Sequence, residues 1–491
     1  MKQSMFWDPF GGVASLRKKL EFFSPRTRQN LGAAGPLLLT VACGMTIGYS
    51  AVLLPQIEPQ TNGTITATVD QASWIASLAA LPQSVAALLG GYLIEKFGRK
   101  TTHVITSLPN FAGWIVIYTA YNVEMLMAGR FITGFCAGVL APATGVYIGE
   151  TAEPKYRGFL LGGISLSISG GLLVCHVLGT FLHWQTTALI CSLVPLLACV
   201  IMLLAPESPA WLAKKGKTEK AEKSFRWFRG ESDEAEKELA VMLTRQNQTD
   251  DPHSPKDLAS KFKVLLRPEC LKPLGIVIVF FILSQWAGPN AINYYSVTIM
   301  KQTLGDGVDE YLATIIIDVI RVIVSVVGCV VMRKYKRRPL AMVSGFGTFL
   351  SLFLLSGFTY GSKVDLEHSQ ILSYVSVAAV VAYIVFITVG FVAMQWSLVG
   401  ELLPLTGRST ASGVASFVAF FTTFTVVKVT PAMFNSLKPE GTFLLFGVMA
   451  LLSTVFNYFC LPETKGKTLD EIEDYFKGKK ETELKEFPVK T

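Results

Sequence analysis

The chain has 491 residues, 51% of them apolar and only 16% charged, with a mean hydropathy of +0.44 and a formal net charge of +8. Soluble proteins carry about 25% charged residues, so these charges cannot coat a water-exposed surface of this size, and a soluble enzyme and a disordered chain are both excluded. The basic balance fits cationic loops at a membrane face rather than a nucleic-acid surface. The eight Cys stand mostly alone inside apolar runs (Cys43, Cys136, Cys199, Cys329, Cys460), as packing residues do, and make no disulfide framework.

In chain order, residues 1–32 form a basic tail with no long apolar core, so no cleaved signal peptide is visible. Apolar runs of about 18–25 residues, the length of a membrane-crossing helix, follow at 33–55, 74–94, 101–120, 125–149, 158–180 and 184–205. The first contains Gly48-Tyr49-Ser50, and the loop after it holds the glycosylation sequon Asn62-Gly63-Thr64. EKFGRK (95–100), with Glu95 and Arg99, follows the second span, and Arg130 lies inside the fourth. GETAEPKYRG (149–158) comes next, with Arg157 seven residues after Glu150. His176 and His183, near the end of the fifth span, are isolated and read as interfacial packing. The polar insert 206–270 opens on Pro206-Glu207; its Lys-, Glu-, Ala- and Leu-rich stretches predict short helices at 212–228 and 232–245.

Six more runs follow at 274–299, 311–332, 340–360, 371–398, 411–434 and 441–461. In the first of these, Gln285, Asn290 and Asn293 are amides in an apolar segment interrupted by Gly288-Pro289. Such amides either bind a polar solute or join helices through hydrogen bonds; the interruption frees backbone groups to line a cavity. Asp318 and Arg321 sit three residues apart near the midpoint of the eighth span. Either they neutralise each other, or Arg321 faces a cavity and takes an anionic substrate group. RKYKRR (333–338) follows the eighth span, and GELLPLTGRS (400–409) follows the tenth, with Arg408 seven residues after Glu401. Pro462-Glu463 opens the charged tail 462–491.

The Gly-Glu…Arg element, the Pro-Glu pair and the cationic loop therefore each occur twice, once per set of six spans. This predicts an all-α integral membrane protein of twelve transmembrane helices in two six-helix pseudo-repeats, with substrate between the repeats. The expected organisation is a cytoplasmic tail (1–32), a six-helix half (33–205), a cytoplasmic helical linker (206–270), a second half (271–461) and a cytoplasmic tail (462–491). With both termini in the cytosol, the outer loops hold only Lys301, Lys363 and Lys438, and Arg130, Arg321 and Lys428 fall within spans. Nearly all the other Lys and Arg then lie on the cytoplasmic side, as positive-inside sorting requires, and Asn62 lies in the first outer loop while the Asn247-Gln248-Thr249 sequon is cytosolic and unused.

The motifs GGYLIEKFGRK (90–100), GRFITGFCAGVLAPATGVYIGE (129–150), PESPAWL (206–212), QWAGPNAINYY (285–295), GELLPLTGR (400–408) and PETKGKTLDEIE (462–473) stand in one order over roughly 33–475. In combination they resemble the sugar porters of the major facilitator superfamily, above all the facilitative glucose and insect trehalose carriers. The resemblance implies substrate contact by Gln285, Asn290 and Trp396, an outer gate at Tyr294 and Tyr295, and an inner gate of Glu150, Arg157, Glu401 and Arg408 with Glu95 and Arg99. The chain departs from the family at the expected site: Ser284 replaces the first Gln of a pair, and Ser165, Arg321 and Ala419 align with amide positions. GFVAMQW (390–396) replaces a paired-proline segment. Proton-driven relatives carry an Asp where Ser50 stands, which implies a uniporter here.

The expected function is a plasma-membrane carrier moving a hexose or trehalose by alternating-access facilitated diffusion. Its partners are a small-molecule sugar and the lipid bilayer, with no cofactor, metal or nucleic acid. The alternatives are a carrier of another, anionic solute and a non-transporting nutrient sensor on the same fold. An enzyme is disfavoured: no metal-ligand spacing, phosphate loop or GxSxG nucleophile is present.

Overall fold

A computed structural model describes residues 20, 22–58, 65–248, 265–304, 309–364, 369–404, 408–467 and 469–477. Asn62 and the Asn247 sequon's Thr249 lie outside the described residues. The first sequence half supplies α1 (Pro25–Gln56), α2 (Val69–Ser77), α3 (Leu81–Phe97), α4 (Arg99–Tyr118), α5 (Val123–Thr151), α6 (Pro154–Phe181) and α7 (Trp184–Leu204). The insert forms α8 (Pro209–Lys214), α9 (Thr218–Arg229) and α10 (Asp233–Gln248). The second half supplies α11 (Pro268–Trp286), α12 (Pro289–Tyr294), α13 (Ser296–Leu304), α14 (Glu310–Lys334), α15 (Arg337–Val364), α16 (Ser369–Ile387), a π-turn (Thr388–Val392), α17 (Ala393–Leu402), α18 (Arg408–Ser436), α19 (Lys438–Cys460) and α20 (Leu469–Lys477). No strand occurs among the described residues.

Eleven helices are long and apolar enough to cross a membrane. The remaining predicted span is α4, whose 20 residues reach about 30 Å, also a crossing length. Its hydropathy is diluted because Arg99, His103, Ser107, Asn110 and Trp114 form one buried polar face while Ile105 and Leu108 look outward. Local chemistry sets the ends. Thr68 and Gln71 make a reciprocal capping box at α2, Asn122 accepts from the Met125 amide at α5, and Asp309 accepts from the Tyr311 and Leu312 amides at α14.

Four predicted elements are broken rather than continuous. The second span is severed at Leu78–Ala80 into α2 and α3. The seventh ends at Trp286 and restarts at Pro289. There Gly288 takes φ +88°, and a Cβ on it would meet the Phe446 ring at 2.7 Å, so glycine is required twice over. The tenth passes through the π-turn at Gly390. In the insert, the predicted helix 212–228 divides at Gly216 into α8 and α9.

The described residues fall into two compact units, one within Met1–Tyr49, Pro59–Thr66 and Val85–Ser254, the other within Ser50–Glu58, Ala67–Ser84 and Pro255–Thr491. In the first, α1 and α6 meet backbone to backbone: a Cβ on Gly44 would lie 2.2 Å from the Ile168 carbonyl oxygen, and one on Gly171 2.2 Å from that of Val41. Such close approach by small residues is how helices associate in lipid. Buried Arg130 donates to the Thr46 carbonyl at 2.6 Å and stands 5.9 Å from the Tyr49 ring. The insert packs against the same unit. Gln29 donates to Glu153 and the Phe228 carbonyl, and Arg229 donates to the Ala152 carbonyl at 2.8 Å and to Glu238 at 3.2 Å. Burial pulls the Arg229 guanidinium pKa below its ordinary value, and Glu238 opposes that shift. In the second unit, α11 packs on α18 and α19, and α15 pairs with α16 and α19.

Candidate functional site

Within the second unit, the break between α11 and α12 brings the predicted amides together. Asn290 Nδ2 donates to Gln285 Oε1 at 2.7 Å and to Thr423 Oγ1 of α18 at 3.3 Å, and Asn293 donates to Asn290 Oδ1 at 3.4 Å. Gln285 ends α11 and Asn290 begins α12, so the two residues interrupting the helix turn both side chains toward one another. Beside them Gln395 donates to Ser284 Oγ at 3.0 Å. The residue that replaces the family's first Gln thus still accepts a hydrogen bond, from an amide supplied one residue before Trp396. Neither Gln395 nor Thr423 stood out in the sequence; the signal for Gln395 was a lone amide in GFVAMQW. Trp396 is 45% exposed and held edgewise between Phe281 and Phe420, with ring centroids at 5.6 and 5.8 Å. An indole fixed on two sides with part of its ring free is suited to the apolar face of a sugar.

Tyr294 is buried, and Tyr295 donates to the Val427 carbonyl at 3.0 Å. Ser165 is a half-buried residue of α6 in the first unit. Arg321 donates to Asp318 at 2.5 Å, one helix turn away, and both are buried. The guanidinium therefore already holds a carboxylate, the first of the two possibilities raised by the spacing.

The charged motifs build the same cluster in each unit. In the first, Arg99 grips Glu150 through two nitrogens at 2.9 and 2.8 Å and donates to the Ile94 carbonyl at 3.1 Å. Glu207 accepts the backbone amides of Arg99, Lys100 and Ser208 at 2.9, 2.8 and 2.9 Å, placing a carboxylate at the start of α4. Ser208 Oγ also donates to Glu150, while Glu95 bridges Arg99 at 3.5 Å and Lys214 at 2.9 Å. In the second unit Arg337 donates to Glu401 at 2.9 Å and to the Met332 carbonyl. Glu463 accepts the amides of Arg337 and Arg338 at 2.9 and 3.2 Å, and Thr464 donates to Glu401 at 2.5 Å. Arg333 occupies the place of Glu95, so the second copy lacks that outermost bridge.

The repeated spacing suggested pairing of Glu150 with Arg157 and of Glu401 with Arg408. The structure instead gives Glu150 to Arg99 and Glu401 to Arg337. The reason is that α5 ends at Thr151 and α6 begins at Pro154, so the seven-residue interval crosses a helix break. Arg157 reaches the Ala152 carbonyl at 3.5 Å, and Arg408 makes no ion pair among the described residues. Arg337 was read in the sequence only as one cation in a run.

The profile of the family described as sugar (and other) transporter matches residues 12–476. The chain is 32% identical over 454 residues to the facilitated trehalose transporter Tret1 of Apis mellifera ligustica, covering 92% of this chain and 89% of that one. Identity is 33% over 444 residues to the Tret1-2 homolog of Drosophila simulans, covering 89% of both chains. Among solved structures, the proton:xylose symporter XylE bound to 6-bromo-6-deoxy-D-glucose superposes with a TM-score of 0.70 at 21% identity, covering 92% of this chain and 99% of that chain. The inward-open XylE from E. coli gives 0.73 at 20%, covering 92% and 100%.

Proposed function

Since the chain belongs to the sugar (and other) transporter family, we propose that it carries trehalose or a hexose across a membrane by alternating access, down the sugar's own gradient. The observation that carries this reading is the Gln285–Asn290–Thr423 cluster at a helix break, beside half-exposed Trp396, in a chain that matches trehalose carriers along nearly its whole length. Amides present paired donors and acceptors to sugar hydroxyls, and the indole offers an apolar platform. Ser165 on α6 adds a hydroxyl from the first unit. Arg321, neutralised by Asp318, supplies no free charge to recruit an anion, which favours an uncharged substrate. Tyr294 and Tyr295 belong to the outer gate, and the Glu95/Arg99/Glu150 and Arg337/Glu401 clusters brace the inner end. Family membership and the missing motifs argue against catalysis.

Labelled trehalose and glucose uptake into oocytes expressing the chain tests this. Uptake is expected to saturate and to be unchanged between two external pH values, because Ser50 cannot carry a proton. Asn290→Ala is expected to lower uptake efficiency about tenfold, since removing one partner strands the others. Surface expression without uptake overturns the reading.

We further infer that both termini are cytoplasmic and that the carrier resides in the plasma membrane, on the distribution of Lys and Arg. Asn62 then faces outward and carries a glycan. Enzymatic deglycosylation is expected to shift the gel mobility of the native chain but not of Asn62→Gln; an identical shift in both refutes this orientation.

A further inference from the structure

Lys428 is a charged residue inside an apolar span, two turns before the end of α18. A cation there is costly unless partnered, and its partners all come from α2. Lys428 Nζ lies 2.8 Å from Asp70 Oδ1, 2.7 Å from Ser73 Oγ and 4.2 Å from the centre of the Trp74 ring. Three neighbouring residues on one face of a nine-residue helix thus converge on one ammonium. One turn earlier on α18, Phe424 packs on the same indole at 6.1 Å. Phe424 continues to Phe421 at 6.0 Å and Phe421 to Phe417 at 5.9 Å, so residues 417, 421, 424 and 428 make one stripe along α18. α2 covers the Lys428 end of this stripe and leaves Phe421 43% exposed. Val427, next to Lys428, is the residue whose carbonyl receives the Tyr295 hydroxyl.

The attachment is reversible by construction. Leu78–Ala80 separates α2 from α3, so α2 can shift without unwinding a longer helix. Asp70 is 79% exposed, and an exposed ion pair holds weakly. The cation–π contact strengthens the hold without making it permanent.

We propose that α2 is a movable flap of the outer gate and that Lys428 is its catch, a positioning residue for transport that holds the flap against α18 beside Tyr295. This deepens the carrier reading and rests on it and on the proposed orientation. Loss of the catch frees α2 and weights the carrier toward the state open to the outside.

Amide hydrogen exchange of residues 69–77 in the full-length chain in lipid nanodiscs tests it. Lys428→Gln and Asp70→Asn are each expected to speed exchange there by roughly 3–10-fold, and the double variant by no more than either alone, because all three break one interaction. Exchange in α4 should stay unchanged. Exposed Asp70 tolerates the substitution without loss of folding, so Asp70→Asn decides even where Lys428→Gln expresses poorly. Exchange at the native rate in Asp70→Asn, or effects that multiply in the double variant, overturns the catch. Absence of sugar uptake by the native chain overturns the carrier reading instead, and leaves the exchange result standing on its own.

Discussion

Asp318→Asn is expected to be the most damaging single substitution in the chain, lowering stability by about 3–5 kcal/mol, the usual cost of stranding one member of a buried ion pair. Both side chains are buried, and Arg321 donates to Asp318 at 2.5 Å across one turn of α14. The effect is asymmetric. Arg cannot shed its proton, whereas a buried carboxyl can take one up and become neutral. Arg321→Gln should therefore cost clearly less than Asp318→Asn, and the double variant should recover much of the loss. Thermal unfolding of the purified protein in detergent, followed by the fraction remaining monodisperse, measures all three. Equal losses in the two single variants would show that the pair is not the source.

Arg337→Ala is expected to slow transport by roughly 5–150-fold, corresponding to about 1–3 kcal/mol. The pair it forms with Glu401 is only partly exposed, at 15% and 25%, so its loss falls between the 0–1 kcal/mol of a surface pair and the several of a buried one. Glu401 also accepts from Ser397 and Thr464, so one carboxylate joins the end of α15, the last turn of α17 and the segment after α19. A carrier that moves helix bundles as rigid bodies needs each bundle end tied in this way. Arg408→Ala removes no ion pair among the described residues and should leave most of the rate intact. Initial rates normalised to surface expression compare the two. A larger loss for Arg408 than for Arg337 would restore the pairing that the sequence spacing suggested.

The spans, the repeat and the amide cluster were legible in the sequence because lipid leaves few choices. A run of apolar residues of crossing length must be helical, and an amide inside it must find a partner. The breaks were not legible. Severing a helix at Leu78–Ala80 or passing through a π-turn at Gly390 depends on neighbouring helices, and neither segment differs in hydropathy from its surroundings. Pairing across helices was also hidden. Glu150 and Arg157 share a linear interval, whereas Arg99 reaches Glu150 only because α4 and α5 pack side by side. Likewise, α4 looked merely less apolar until its buried face gathered Arg99, His103 and Asn110 onto one side.

Glu207 and Glu463 carry a consequence for how such a chain can be altered. Each follows its half's last long helix, and each returns to hold the first amides of that half's third long helix, α4 or α15. Every half is thereby fastened to itself before the chain goes on. The segment that joins them is free to lengthen, shorten or acquire new sequence over evolutionary time, because neither bundle depends on it for closure. Duplication of one self-fastened module followed by divergence of the connector needs no intermediate in which either copy is left open.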